Sequence, residues 1–237
     1  MAARDAARRL LAAIESRDLR ATAAALTPDA SWQNVPHPPA VGRDAVLALL
    51  APIITWSDSV TWEVVSAGDD GETAWVERVD RFVIDGREHA VRCLGVFTAR
   101  GGHVAAVRDY VDLGEWRARI GPVLAGLRER APVDVVRRHL AAVTSGDPVA
   151  MAADYTLDAE LVRGPATHRG WQAIGDYFAA VPDRLAGRVV EFEQPAAAAD
   201  GTVTVRWSIG DRSGRDRYEL AAGRIVRQLV ELDGPDF

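Results

Sequence analysis

The spacing of apolar residues changes partway along the chain, and the same change happens again in the second half. Met1–Leu19 is an amphipathic helical pattern with Arg and Glu throughout, and a shorter helix is expected over Leu19–Leu26. A short strand and a third helix near Asp44–Leu50 follow. From Thr61 the period falls to two. Strands are predicted over Thr61–Ala67, Thr73–Ile84, Glu88–Thr98 and His103–Val111, separated by Gly-Asp-Asp-Gly, Asp-Gly and Gly-Gly, which are hairpin-type turns.

With an offset of 129, Arg8–Asp18 lies over Arg137–Asp147, and Asp29-Ala30 then falls on Asp158-Ala159 without a gap. The second copy repeats the order: a short helix over Pro148–Tyr155, a helix over Trp171–Ala180, then strands over Gly187–Gln194, Val203–Ile209, Arg217–Leu220 and Arg224–Leu232. Helices followed by a curled antiparallel sheet predict an α+β cone, here two in tandem. The expected domains are 1–122 and 130–237, joined by a linker over Gly121–Pro132.

Charge breaks the pattern in the first copy. Arg78 and Asp80 share strand parity with Val76, Phe82 and Ile84, and Asp109 shares it with Ala105, Val107 and Val111. Burying an unpaired carboxylate costs several kcal/mol or shifts its pKa until it is neutral, so two inward acids with one inward Arg point to an acid-base site. Taken alone, each residue has a plainer reading. Arg78 and Asp80 also fit an outward charge pair, Asp109 a surface acid, and Asn34 a turn cap before Pro36, Pro38 and Pro39. Aligning Gly71 with Gly201 puts Ser208 and Gly210 at the Arg78 and Asp80 positions, and Gln228 or Val230 at that of Asp109. Arg206 lies nearby with no inward acid, so the site is expected in the first copy and the second copy is expected to be degenerate.

Composition narrows the chemistry. All 28 basic residues are Arg, which excludes Schiff-base and lysine-dependent phosphate chemistry. The net charge of −6 comes with no basic block, so nucleic acid is not an expected partner. Cys93 stands alone, which fits a reducing cytoplasm. The longest apolar run, Ala45–Ile54, is too short to span a bilayer, so no membrane association is expected. The five His residues lack metal-ligand spacing and no Gly-x-Ser-x-Gly elbow occurs, so neither a metal, a cofactor nor an α/β-hydrolase mechanism is expected.

Four segments occurring in order carry a family likeness: Trp32-Gln-Asn-Val-Pro-His-Pro-Pro-Ala-Val-Gly-Arg-Asp-Ala-Val46, Glu77-Arg-Val-Asp80, Leu94-Gly-Val-Phe97 and Arg108-Asp-Tyr-Val-Asp-Leu113. With these the chain resembles the limonene epoxide hydrolase family, within the SnoaL-like and NTF2-like cone folds, over about residues 5 to 120. The resemblance implies a catalytic Arg at Arg78, catalytic acids at Asp80 and Asp109, and a water-holding Asn34. Trp32 stands where the family has a water-contacting Tyr, and an indole N–H only donates. It further implies an apolar wall of Phe82, Val91, Cys93 and Trp116 around a hydrophobic epoxide.

The activity implied is metal-free, one-step hydrolysis to a diol. Two alternatives stand beside it: an epoxide-opening cyclase of natural-product biosynthesis, with a substrate hydroxyl as nucleophile, and a non-catalytic small-molecule binder. Single-cone members pair through their sheets, so the two copies are expected to form an intrachain pseudo-dimer, the whole being a monomer or homodimer.

Overall fold

The computed structural model describes residues 3–234, and the chain divides into two compact units, Met1–Leu124 and Ala125–Phe237. The first opens with α1 (Ala3–Glu15) and α2 (Leu19–Ala24), then β1 (Leu26–Asn34), β2 (Ala40–Val41) and α3 (Arg43–Trp56). Four long strands follow: β3 (Ser59–Asp69), β4 (Thr73–Ile84), β5 (Arg87–Arg100) and β6 (His103–Val111), and then α4 (Leu113–Arg119). The sheet order is β2-β1-β6-β5-β4-β3, antiparallel except that β1 and β6 run parallel. Leu10, Leu11 and Ile14 bury one face of α1, as the helical spacing requires. Asp18 caps α2 by accepting from the Arg20 and Ala21 amides.

Helix α5 (Gly121–Arg128) occupies the segment expected as a linker. Gly-Pro reads as a break, yet Pro is tolerated in the first helical turn, and the apolar positions beyond it continue to the buried Leu127. Helix α3 likewise runs past its expected end at Leu50 and through Pro52, because Ile53, Ile54 and Trp56 are buried beyond it.

The second unit continues with α6 (Pro132–Ser145), α7 (Pro148–Ala152), β7 (Tyr155–Arg163), β8 (Ala166–Arg169), α8 (Gly170–Ala179) and α9 (Val181–Leu185). The short strands β9 (Glu191–Phe192) and β10 (Ala196–Ala197) precede β11 (Val203–Ile209), β12 (Arg212–Ala221) and β13 (Arg224–Leu232). The sheet order is β10-β11-β12-β13-β7-β8, with β9 also on β11 and with β13 and β7 parallel. Asp147 caps α7 as Asp18 caps α2. The strand expected over Gly187–Gln194 is reduced to Glu191–Phe192, while β12 begins five residues before the expected Arg217. Each unit is therefore an α+β fold in which helices pack on one sheet, as expected. Among the described residues no helix is long and apolar enough to cross a membrane.

Candidate active site

Strand β4 alternates as the sequence indicates: Ala74, Val76, Arg78, Asp80, Phe82 and Ile84 are all buried. Arg78 is 1% exposed, Asp80 6% and Asp109 5%. On β6 the inward set is Val104, Val107 and Asp109; the register on β5 shifts between Thr98 and Ala99, so the bulge at Ala105 moves inward parity from Ala105 to Val104.

Arg78 joins the two acids. Its Nη2 donates to both oxygens of Asp109 at 3.1 Å, and its Nε lies 2.7 Å from Asp80 Oδ1. That last approach is an ion pair in which the N–H is not aimed at the oxygen, so Arg78 Nε and Nη1 and Asp80 Oδ1 are buried without an aligned hydrogen-bond partner. The Trp62 and Phe97 rings flank the guanidinium, with centroids 5.1 and 5.8 Å from Cζ.

Reaching Asp109 takes Arg78 across β5, and Gly95 makes the crossing possible. Gly95 pairs with Val76 on one side and Asp109 on the other. A Cβ at this position would lie 2.2 Å from Arg78 Nη1 and 2.9 Å from Asp109 Oδ1. The residue belongs to Leu94-Gly-Val-Phe97, but its role depends on β5 lying between the charged strands, which local sequence does not express.

Burial, reinforced by the Asp109 charge, outweighs the attraction of Arg78 and pushes Asp80 up to about 7. Burial disfavours the Arg78 charge, yet the two carboxyls together hold its pKa above the ordinary value. The Cys93 thiol is pushed up by burial and then by Asp109, so Cys93 stays protonated and unreactive.

The remaining predicted residues lie around this cluster. Asn34 is in register with Asp109 on the neighbouring parallel strand, and the Val35 amide donates to the Asp109 carbonyl at 2.9 Å. Trp32 is 3% exposed and pairs with Val107 and Ala40. Val91 pairs with Asp80, and Cys93 with Arg78. Phe82 meets Trp116 edge-on at 6.0 Å and Trp62 at 5.7 Å. Trp62 was not singled out from sequence; it pairs with Asp80, and its indole donates to the Leu11 carbonyl at 2.9 Å.

The second unit corrects two expectations. The offset of 129 persists through β11 without a gap, so Trp207 and Ile209, not Ser208 and Gly210, occupy the positions of Arg78 and Asp80. Beyond Ile209 the offset drops to 121, because the β11–β12 hairpin is eight residues shorter than the β4–β5 hairpin. Val230 then stands at the position of Asp109 and Arg163 at that of Asn34. An inward acid is present after all: Asp216, 6% exposed, occupies the Gly95 position. Where the first unit needs an absent side chain to admit Arg78, the second grows a carboxyl that receives the Trp207 indole N–H at 2.9 Å.

A family model described as the SnoaL-like domain matches the chain twice, over residues 7–107 and 136–228. Among solved structures, an LEH-like epoxide hydrolase of M. tuberculosis is 24% identical, covering 51% of this chain and 90% of its own, with a TM-score of 0.44. An NTF2-like protein of unknown function from Burkholderia pseudomallei is 23% identical over 48% of this chain and 94% of its own, with a TM-score of 0.43. A hypothetical protein with a ketosteroid isomerase-like fold from Catenulispora acidiphila, solved in complex with trimethylamine, is 19% identical over 49% and 92%, with a TM-score of 0.43. The two family matches take in most of the chain, and the protein belongs to the SnoaL-like domain family, with two copies in tandem.

Proposed function

We propose that the first unit opens a hydrophobic epoxide by cofactor-independent acid-base catalysis, giving a vicinal diol in one step. The observation that carries this reading is the buried Asp80–Arg78–Asp109 cluster, in which one guanidinium contacts both carboxyls. Asp80, whose raised pKa keeps a proton available near neutral pH, donates it to the epoxide oxygen as the C–O bond breaks. Asp109 takes a proton from a water that attacks the epoxide carbon, and Asn34, in register beside it, orients that water. Water and epoxide give the diol, and one proton has moved from Asp80 to the product and one from water to Asp109. Return of a proton from Asp109 to Asp80 restores the pair. Arg78 fixes the geometry throughout and balances the carboxylate charge. Phe82, Val91, Cys93 and Trp116 supply the apolar wall.

A second reading has one observation in its favour. Trp32 places a bulky, buried indole where the resembling family holds its water with a Tyr, which favours a substrate hydroxyl as nucleophile and a cyclic ether as product. Turnover of epoxides and hydroxy-epoxides in oxygen-18 water separates the readings. Label in a diol supports hydrolysis, an unlabelled cyclic ether supports the cyclase, and ligand binding indifferent to Asp80→Asn supports a binding protein.

A further inference from the structure

We propose that the second unit holds a binding site of its own, for a small, mainly apolar alcohol or phenol whose hydroxyl donates to Asp216. A pocket of about 80 Å³ opens in this unit. That is roughly five to eight times the room one water requires. Val143, Leu185, Phe192, Ile209 and Val230 give it apolar walls, while Asp216 and Gln228 supply polar groups.

The hydrogen bonds around Asp216 define what it can accept. Its Oδ1 receives Trp207 Nε1 at 2.9 Å, and its Oδ2 receives both the Tyr218 hydroxyl at 3.0 Å and Gln228 Nε2 at 2.8 Å. Tyr155 donates to Gln228 Oε1, which fixes the amide so that its NH2 faces the acid. Each carboxylate oxygen has about two acceptor sites, so Oδ1 keeps one for a further donor. A ligand ketone or carboxylate would bring an acceptor to an acceptor. An ammonium is disfavoured by Arg163 and Arg184, which also line the pocket. The group that meets Asp216 Oδ1 is then a neutral donor on an apolar body, and a hydroxyl is the smallest such group.

The site is not a second copy of the first. Ile209 and Val230 stand at the positions of Asp80 and Asp109, so the acid pair is replaced by one acid held by three neutral donors. Burial lifts Asp216 to about 6, against the pull of those donors and of Arg163. The neighbouring buried His139, whose Nδ1 faces the Met151 carbonyl at 3.0 Å, is pushed down by burial and brings no charge. Nothing in this inference depends on the epoxide reading of the first unit.

The test is titration of the 15N-labelled full chain with p-cresol, and with toluene as its hydrocarbon counterpart, following the tryptophan indole N–H resonances. Trp207→Phe assigns the Trp207 signal. The expected result is a saturable shift of the Trp207 indole with p-cresol while Trp62 stays in place, and toluene binding at least about tenfold more weakly. Val230→Phe, which fills the pocket, should abolish the shift, and the rest of its spectrum reports that it is folded. Asp216→Asn should reduce the preference for p-cresol over toluene to within about threefold. Absence of a saturable Trp207 shift up to the solubility of p-cresol, equal affinity for toluene, or shifts confined to Trp62 and Trp116 would each overturn the proposal.

Discussion

Replacing Gly95 with Ala adds a single methyl group where the charged cluster has no space for it. The new Cβ would sit 2.2 Å from Arg78 Nη1, 2.7 Å from Phe97 Cε2 and 2.9 Å from Asp109 Oδ1. Restoring contact distance moves the guanidinium by about 1 Å, which stretches bonds of 3.1 Å to Asp109 past hydrogen-bonding range. The guanidinium cannot retreat cheaply, because Asp80 lies 2.7 Å away and the Trp62 and Phe97 rings flank it. Breaking a buried ion pair costs about 3 to 5 kcal/mol, and overpacking a core about 1 to 3, so a loss of about 3 kcal/mol in the first unit is expected. Epoxide turnover should drop about 100-fold or more, since a 1 Å displacement of catalytic groups is enough for that. Gly126→Ala is the control: nothing lies within 4 Å of its Cβ, and in helix α5 it should be neutral or stabilising by about 0.5 to 1 kcal/mol. Urea unfolding followed by circular dichroism, with turnover measured on the same samples, makes the comparison. A Gly95→Ala protein as stable and active as Gly126→Ala would refute the account of how Arg78 is housed.

Other perturbations give separate readouts. Asp80 has its pKa raised from 3.8 to about 7, so between those values the folded protein keeps a proton that the unfolded chain has lost, and stability falls as pH rises. Asp80→Asn removes that penalty, so its stability relative to the native protein should grow from pH 4 to pH 7, by up to about 4 kcal/mol, and then level off, as urea titrations at several pH values will show. The same substitution should lower epoxide turnover about 10²- to 10⁴-fold through loss of the acid, with the native rate falling above about pH 7. Phe82→Ala removes the ring that meets both Trp62 and Trp116, and should cost about 3 to 5 kcal/mol in thermal or urea unfolding while raising KM more than it lowers kcat. Trp32→Tyr puts a hydroxyl that both donates and accepts beside the water position, and should shift products toward diol when a hydroxy-epoxide is supplied; an unchanged product ratio would count against a role for Trp32.

The charged strand of the first unit was legible because alternation over Val76–Ile84 is unbroken, so its parity alone places Arg78 and Asp80 inside. The offset of 129 was equally plain, since cap residues Asp18 and Asp147 recur on it. Asp216 was hidden. It lies between Arg215 and Arg217, ahead of the strand expected from Arg217; β12 in fact starts at Arg212 and carries Gly214 within it, where a Cβ would lie 2.4 Å from the Trp207 ring. Matching Gly71 to Gly201 set an offset of 130 ahead of β11 and so displaced the sequence alignment by one residue, exchanging Trp207 for Ser208. Gly95 and Trp62 were out of reach for a different reason. Their roles come from strands lying side by side in the sheet, not from any pattern along one strand.

In the proposed reaction Asp109 activates a nucleophile for epoxide opening while Asp80 supplies the proton. The most direct measurement is mass analysis of products formed from hydrophobic epoxides in oxygen-18 water by the native protein and by Asp109→Asn. A diol carrying one labelled oxygen is expected from the native protein, with a loss of turnover of at least about 100-fold in the variant. Label incorporated at an undiminished rate by Asp109→Asn would contradict that role for Asp109.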